Sequence, residues 1–161
     1  PLPLPRAAAS PEAIEDLKFR WAGFWQAVLD NNAREPFKLS ADDLNVVIAN
    51  VPDLQNRLQV VITNDQLMGQ FSVPLDKAKQ KELQGRFING SARLHLMFED
   101  GWLSAQVLDL RANGKPVPGW VQKKVQKENI FKDLDRNQDV VAFLHKLKNV
   151  EVKDGSVILT P

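Results

Sequence analysis

The side chains that could act as acids, bases or nucleophiles are few in this sequence, and they are not spaced like a catalytic motif. The only two histidines, His95 and His145, fall on different predicted elements, and neither belongs to a His-x-x-x-His pair that could hold a metal ion. The G-x-S-x-G turn of many serine hydrolases is absent. Cysteine is also absent, which excludes thiol nucleophiles, disulfide bonds and zinc–cysteine sites. We therefore predict no catalytic residue, no metal site and no cofactor.

One acidic run has some of the chemistry of a calcium loop. Residues 133–139 place oxygen-bearing side chains at alternating positions, as such a loop does. The loop also needs glycine at its sixth position and a bidentate glutamate at its twelfth, and these positions hold Gln138 and Leu144. We interpret the run as a polar loop whose Asn137 caps a helix.

Length, composition and charge narrow the class of protein. The chain has 161 residues, of which 43% are apolar and 25% charged, so it can bury one ordinary globular core. Its 21 basic and 20 acidic residues leave a net charge of +1, which argues against a nucleic-acid partner. No apolar run is long enough to span a bilayer. We interpret residues 1–9 as a flexible Pro/Ala-rich tether and residues 10–161 as a single α+β domain.

A long amphipathic helix is predicted after the tether. Ser10 and Pro11 suit its cap and first turn, and apolar residues then recur at steps of three and four as far as Leu29. Shorter helices are predicted to begin after Ser40, at Pro118 or Gly119, and after Asn137. The second helix is predicted to bury Leu44, Val47, Ile48 and Val51.

Between the helices the apolar period changes to two, which indicates β-hairpins. Turn residues separate the alternating segments at 64–65, 100–101, 113–114 and 154–155. The apolar phase slips near Val107, which predicts a β-bulge there. We expect an α+β fold in which a curved antiparallel sheet of about four to six strands packs against the long N-terminal helix, with further helices before the C-terminal hairpin.

Aromatic residues are the most distinctive feature of the first helix. Trp21, Phe24 and Trp25 lie on its apolar stripe, where they can fill a core or line an apolar groove between helix and sheet. The helical spacing is the same in both cases. The candidate groove residues are Trp21, Phe24, Trp25, Phe71, Trp102 and Trp120.

A local excess of positive charge follows the second half of the sheet. It consists of Lys123, Lys124, Lys127 and Lys132. We interpret these lysines as a solvated helix face, with contact to anionic lipid headgroups or to nucleic acid as alternatives.

The turns and caps over residues 39–160 carry a resemblance to a known group of proteins. The segments 85–90, 100–101 and 113–118 lead from strand to hairpin to helix, between a helix start at 39–45 and a final hairpin at 150–157. This pattern resembles uncharacterised, membrane-anchored extracytoplasmic bacterial proteins of the YpmS-like kind. Some such families are similar to tubular lipid-binding domains, in which a curved antiparallel sheet wraps a helix. The resemblance implies an apolar groove, a role at the cell envelope and no catalytic residue.

We therefore expect a non-enzymatic extracytoplasmic domain that binds a lipid or another apolar ligand between helix and sheet. Its association with the membrane, in the periplasm or at the cell surface, is expected only through a segment preceding the sequence given. Two alternatives stay open: an envelope protein–protein interaction module with a dry core, and a small cystatin-like or NTF2-like enzyme. The enzyme would need His95 or His145 to converge with carboxylates in a pocket.

Overall fold

The computed structural model describes residues 10–50, 55–74, 85–126 and 136–161. The elements within these ranges are α1 (Pro11–Leu29), β1 (Phe37–Ser40), α2 (Ala41–Ala49), β2 (Leu58–Thr63), β3 (Gln66–Pro74), β4 (Phe87–Glu99), β5 (Trp102–Ala112), β6 (Lys115–Pro116), α3 (Gly119–Gln126), α4 (Gln138–His145), β7 (Asn149–Lys153) and β8 (Ser156–Thr160). The α+β class and the antiparallel pairing are confirmed. The predicted tether at 1–9, residues 133–135 of the acidic loop, and the side chains of Lys124, Lys127 and Lys132 lie outside the described residues.

The strands form two antiparallel sheets. Strands β2 to β6 form a five-stranded sheet in which strands that follow one another along the chain are also neighbours in the sheet. The C-terminal hairpin of β7 and β8 belongs to a second sheet, in which β8 pairs with β1. Strand β1 was not predicted, since the alternation of Phe37 and Leu39 over four residues is too short a signal.

The four tight turns form at the predicted positions. Each places two consecutive residues in the left-handed region, which matches the twist of the flanking strands. Their φ values are 51° and 58° at Asn64 and Asp65, 51° and 80° at Asp100 and Gly101, 51° and 78° at Asn113 and Gly114, and 52° and 73° at Asp154 and Gly155.

The predicted β-bulge is present, but it lies slightly beyond Val107. The register between β4 and β5 shifts between Ser91 and Arg93, and Asp109 takes a φ of 47°. The extra residue returns Leu110 to the face that carries Val107, which explains the phase slip in the sequence.

The helix caps follow the sequence closely. Ser10 accepts a hydrogen bond from the amide of Ala13, and Asn137 accepts from the first amides of α4. Ser40 and Asp43 form a reciprocal capping box, with distances of 3.0 and 3.1 Å between side-chain oxygens and backbone nitrogens. Ser40 is also the last residue of β1, so α2 follows this strand of the smaller sheet directly, with no loop between them.

The core lies between α1, α4 and the smaller sheet. Its buried members are Phe24, Val28, Phe37, Phe143, Leu144, Leu147, Val150, Val157 and Leu159. Leu96, Phe98 and Leu103, from the hairpin of β4 and β5, pack against this cluster. The five-stranded sheet therefore contacts the core at one of its ends. There the hairpin of β4 and β5 covers part of the core.

The buried side of α2 differs from the prediction. Asn45 and Ala49 are buried, Leu44 and Ile48 are partly buried, and Val47 is 50% exposed; Val51 lies outside the described residues. The amide of Asn45 donates to the carbonyl oxygen of Val60 and accepts from its backbone nitrogen, at 2.8 Å in both cases. Both polar atoms of the Asn45 side chain have hydrogen-bond partners, so this side chain can be buried. With Asn45 on the buried face of α2, Val47 lies on the exposed face.

Candidate functional site

The aromatic residues of α1 meet two further rings in the core. The rings of Trp25 and Phe143 stack with centroids 4.2 Å apart and an angle of 4° between their planes. Phe24 stacks on Phe37 at 5.0 Å, and the edge of Trp21 meets Phe37 at 5.5 Å. This aromatic cluster joins α1 to α4 and to β1. Phe24 fills it, whereas Trp21 and Trp25 are only partly buried.

A groove opens beside this cluster, between the first half of α1 and the outer side of α2. It has a volume of about 710 Å³, which lies in the range of small-molecule sites. Its apolar lining residues are Ile14, Leu17, Trp21, Leu39, Leu44, Val46 and Val47. Lys18 and Asn50 also line it and place polar groups at its border. We call this feature the α1–α2 groove.

The groove stays open because α2 is anchored elsewhere. Asn45 fastens α2 to the backbone of β2 through two hydrogen bonds, and Ser40 joins it directly to β1. Neither contact draws α2 onto α1. The apolar side chains that the two helices direct at each other therefore leave a space between them.

One arginine bridges the two helices beside Trp21. The guanidinium of Arg20 lies 2.8 Å from Asp16 on its own helix and 3.1 Å from Asp43 in the first turn of α2. The hydrogen bond with Asp16 is the largest of the contacts that raise the pKa of Arg20 above its ordinary value. The same guanidinium lies 5.9 Å from the centre of the Phe37 ring. Arg20 therefore stands at the boundary between the α1–α2 groove and the aromatic cluster.

The remaining candidate aromatics lie apart from the groove. The Phe71 ring covers Gly90 on the neighbouring strand, where a Cβ would overlap it. Trp102 meets the edge of His145 at 5.0 Å. Trp120 is 71% exposed. The structure thus brings Trp21, Phe24 and Trp25 together, and only Trp21 lines the α1–α2 groove.

Neither histidine is buried. His145 packs against Trp102, while His95 lines a separate cavity of about 430 Å³ together with Asp65, Arg93 and Glu151. Within the described ranges, no three side chains of the metal-binding types are grouped to hold a metal ion. The enzyme alternative, which needs a histidine acting together with a carboxylate, stays a prediction.

Part of the groove was indicated by the apolar patterns of the two helices. Ile14, Leu17 and Trp21 belong to the apolar stripe of α1, and Leu44 and Val47 to that of α2, but both stripes were compatible with a closed core. Leu39 was missed together with β1. What the sequence could not show is that Asn45 would rotate α2 and leave Val47 facing the groove.

Comparisons with known proteins give no relative for this chain. No family model matches it, and no match was found among the curated proteins or the solved structures. The resemblance to YpmS-like proteins therefore stays a prediction. No helix in the described part of the chain combines the length and the apolar content needed to cross a bilayer.

Proposed function

We propose that the protein binds a lipid or a similar apolar molecule in the α1–α2 groove, as a non-enzymatic domain located outside the cytoplasm. The observation that carries this proposal is the groove itself, with a volume of about 710 Å³ and mostly apolar walls. A space of this kind beside a well-packed core exposes apolar surface to water, and an apolar ligand would cover it.

The border of the groove suits a ligand with a polar or anionic end. Lys18 lies 3.8 Å from Glu15, and both side chains are largely exposed, so this ion pair contributes little. The Lys18 ammonium is therefore accessible to a carboxylate or phosphate oxygen at the edge of the groove. A molecule with an apolar chain and such a headgroup matches both parts of the site.

Native mass spectrometry before and after organic extraction tests the proposal on the protein as purified. We expect a bound mass of lipid size that disappears on extraction, and the extracted protein should then bind a fluorescent fatty acid. A clean apo mass together with no fatty-acid binding would overturn the proposal. It would favour the interaction module with a dry core.

Two valine substitutions locate the ligand. Val47→Asp places a charge in the groove and should abolish fatty-acid binding, because burying an unpaired carboxylate against an apolar chain is strongly unfavourable. Val61→Asp is the matched control, since Val61 is also exposed but lies on β2 and does not line the groove. Equal loss of binding in both variants, or equal retention, would contradict the assignment to the α1–α2 groove.

A further inference from the structure

The two ends of the five-stranded sheet differ in charge. The hairpin turns after β2 and β4 lie at the same end of the sheet, because Leu67 at the start of β3 pairs with Leu94, only five residues before the β4 strand ends at Glu99. The charged residues in or beside these two turns are Asp65, Glu99 and Asp100. We call this the acidic end.

The opposite end carries basic residues in or directly before four separate strands. One continuous row of paired positions crosses the sheet there, through Leu58, Phe71, Gly90, Ala112 and Lys115. Arg57 immediately precedes β2, Arg86 immediately precedes β4, and Arg111 and Lys115 lie near the end of β5 and at the start of β6. We call this the basic end of the sheet.

Among the described residues, Arg111 is the one basic residue of this end that lies in an ion pair. Arg111 lies 3.4 Å from Asp109. Arg57, Arg86 and Lys115 take part in none of the ion pairs between described residues. Within the described part of the chain the charges of the sheet are thus unequal at its two ends, although the net charge of the protein is only +1. A basic end of this kind attracts an extended anionic surface.

An exposed tryptophan lies next to the basic end. Trp120 is 71% exposed in the first turn of α3, which directly follows β6. The backbone nitrogen of Val117 donates to the carbonyl of Leu110, and the side chain of Gln122 bonds the backbone of β5 at Leu110, at 2.9 Å. These contacts hold α3 against β5 and leave the indole of Trp120 exposed to solvent. Lys123 on the same helix is exposed as well.

We propose that the basic end, with Trp120 and Lys123 beside it, docks on a membrane surface rich in anionic phospholipid headgroups. Arginine and lysine near such a surface attract it electrostatically, and an indole with an apolar body and a polar N–H suits the headgroup region. One exposed indole among the described residues of this surface is better matched to the membrane interface than to a nucleic-acid strand, which stacks successive bases on several aromatic rings. This surface is separate from the α1–α2 groove, and the proposal does not depend on ligand binding there.

Flotation of the full chain with lipid vesicles tests this proposal. We expect the protein to float with vesicles of equimolar phosphatidylcholine and phosphatidylglycerol, and not with vesicles of pure phosphatidylcholine. Added salt should release the protein from the anionic vesicles, because salt screens the electrostatic attraction. The double variant Arg86→Glu, Lys115→Glu should reduce the partition coefficient by about tenfold or more. Trp120→Ala should reduce it by about threefold to tenfold, since the electrostatic contacts stay.

Matched controls separate docking from general effects. Phe19→Ala removes an apolar side chain that is 82% exposed on α1, away from the basic end, and should leave flotation unchanged. Asp65→Asn changes charge at the acidic end and should also have no effect, while circular dichroism verifies that each variant is folded.

Two outcomes would overturn the docking proposal. One is flotation that is equal for the double variant and the parent chain, and the other is binding to single-stranded DNA without binding to anionic vesicles. The fatty-acid assay with Val47→Asp contains no vesicles, so failure of one proposal is distinguishable from failure of the other.

Discussion

The two halves of α1 carry the same apolar pattern but have different surroundings. In the second half, Phe24 and Val28 are packed against α4 and the smaller sheet. In the first half, Ile14, Leu17 and Lys18 line the α1–α2 groove, which ends at Trp21 in the middle of the helix. The difference arises from the elements that face each half, since α4 and β1 present the rings of Phe143 and Phe37 to the second half, whereas α2 is held by β2. An amphipathic stripe thus indicates which face is apolar, and the elements opposite decide whether that face is sealed.

The largest expected difference between the halves is in stability. Phe24→Ala should lower the free energy of unfolding by about 3–5 kcal/mol, because it removes a buried ring from the aromatic cluster. Ile14→Ala should lower the free energy of unfolding by only about 1 kcal/mol, since Ile14 is partly buried at the open groove and alanine favours the helix. Urea denaturation followed by tryptophan fluorescence measures both. Equal decreases in the free energy of unfolding for Phe24→Ala and Ile14→Ala would mean that the groove is part of the core.

The next effect concerns the anchor that keeps α2 away from α1. Asn45→Ala should lower the free energy of unfolding by about 2–3 kcal/mol, because the backbone nitrogen and carbonyl of Val60 lose their partners in a buried setting. Asn50→Ala is the control, as that side chain makes one exposed bond to Val46. If Asn45→Ala lowers the free energy of unfolding by no more than Asn50→Ala does, Asn45 does not position α2.

A smaller effect is expected where the five-stranded sheet meets α4. Gly101 has a φ of 80°, and a Cβ there would lie 2.9 Å from the Cα of His145. Gly114 has a φ of 78° and no atom within 4 Å of such a Cβ. Gly101→Ala should therefore be less stable than Gly114→Ala by about 1–2 kcal/mol, because both share the backbone strain and only the first adds a steric conflict. Equal denaturation midpoints would indicate that the turn does not press on α4.

The elements of this fold could be predicted from local signals. Three helix starts could be predicted from their capping residues, which are Ser10, Ser40 and Asn137. The central hairpin could be predicted from the turn residues at 100–101. The second sheet could not be predicted, because the pairing of β1 with β8 joins residues more than a hundred positions apart. The α1–α2 groove could not be predicted either, since it depends on the long-range bonds of Asn45 to Val60.

The smallest change in stability is expected for Arg20→Gln, at the boundary between the two halves of α1. The Arg20 side chain is 40% exposed, so losing its ion pairs should cost about 0–1 kcal/mol. Because its pKa is raised on folding, its stabilising charge is fully present below the unfolded value and is lost only at still higher pH. The decrease in the free energy of unfolding caused by Arg20→Gln should therefore be equal at neutral and moderately alkaline pH.

The groove should respond to this substitution more than the core does. Arg20 links α1 to Asp43 of α2, so a bound fluorescent fatty acid should dissociate about twofold to fivefold faster from Arg20→Gln. Lys38→Gln is a suitable control, because Lys38 is an exposed cation on β1 that neither lines the groove nor bridges the helices. A stability loss approaching that of Phe24→Ala, with unchanged ligand dissociation, would place Arg20 in the core and not at the border of the groove.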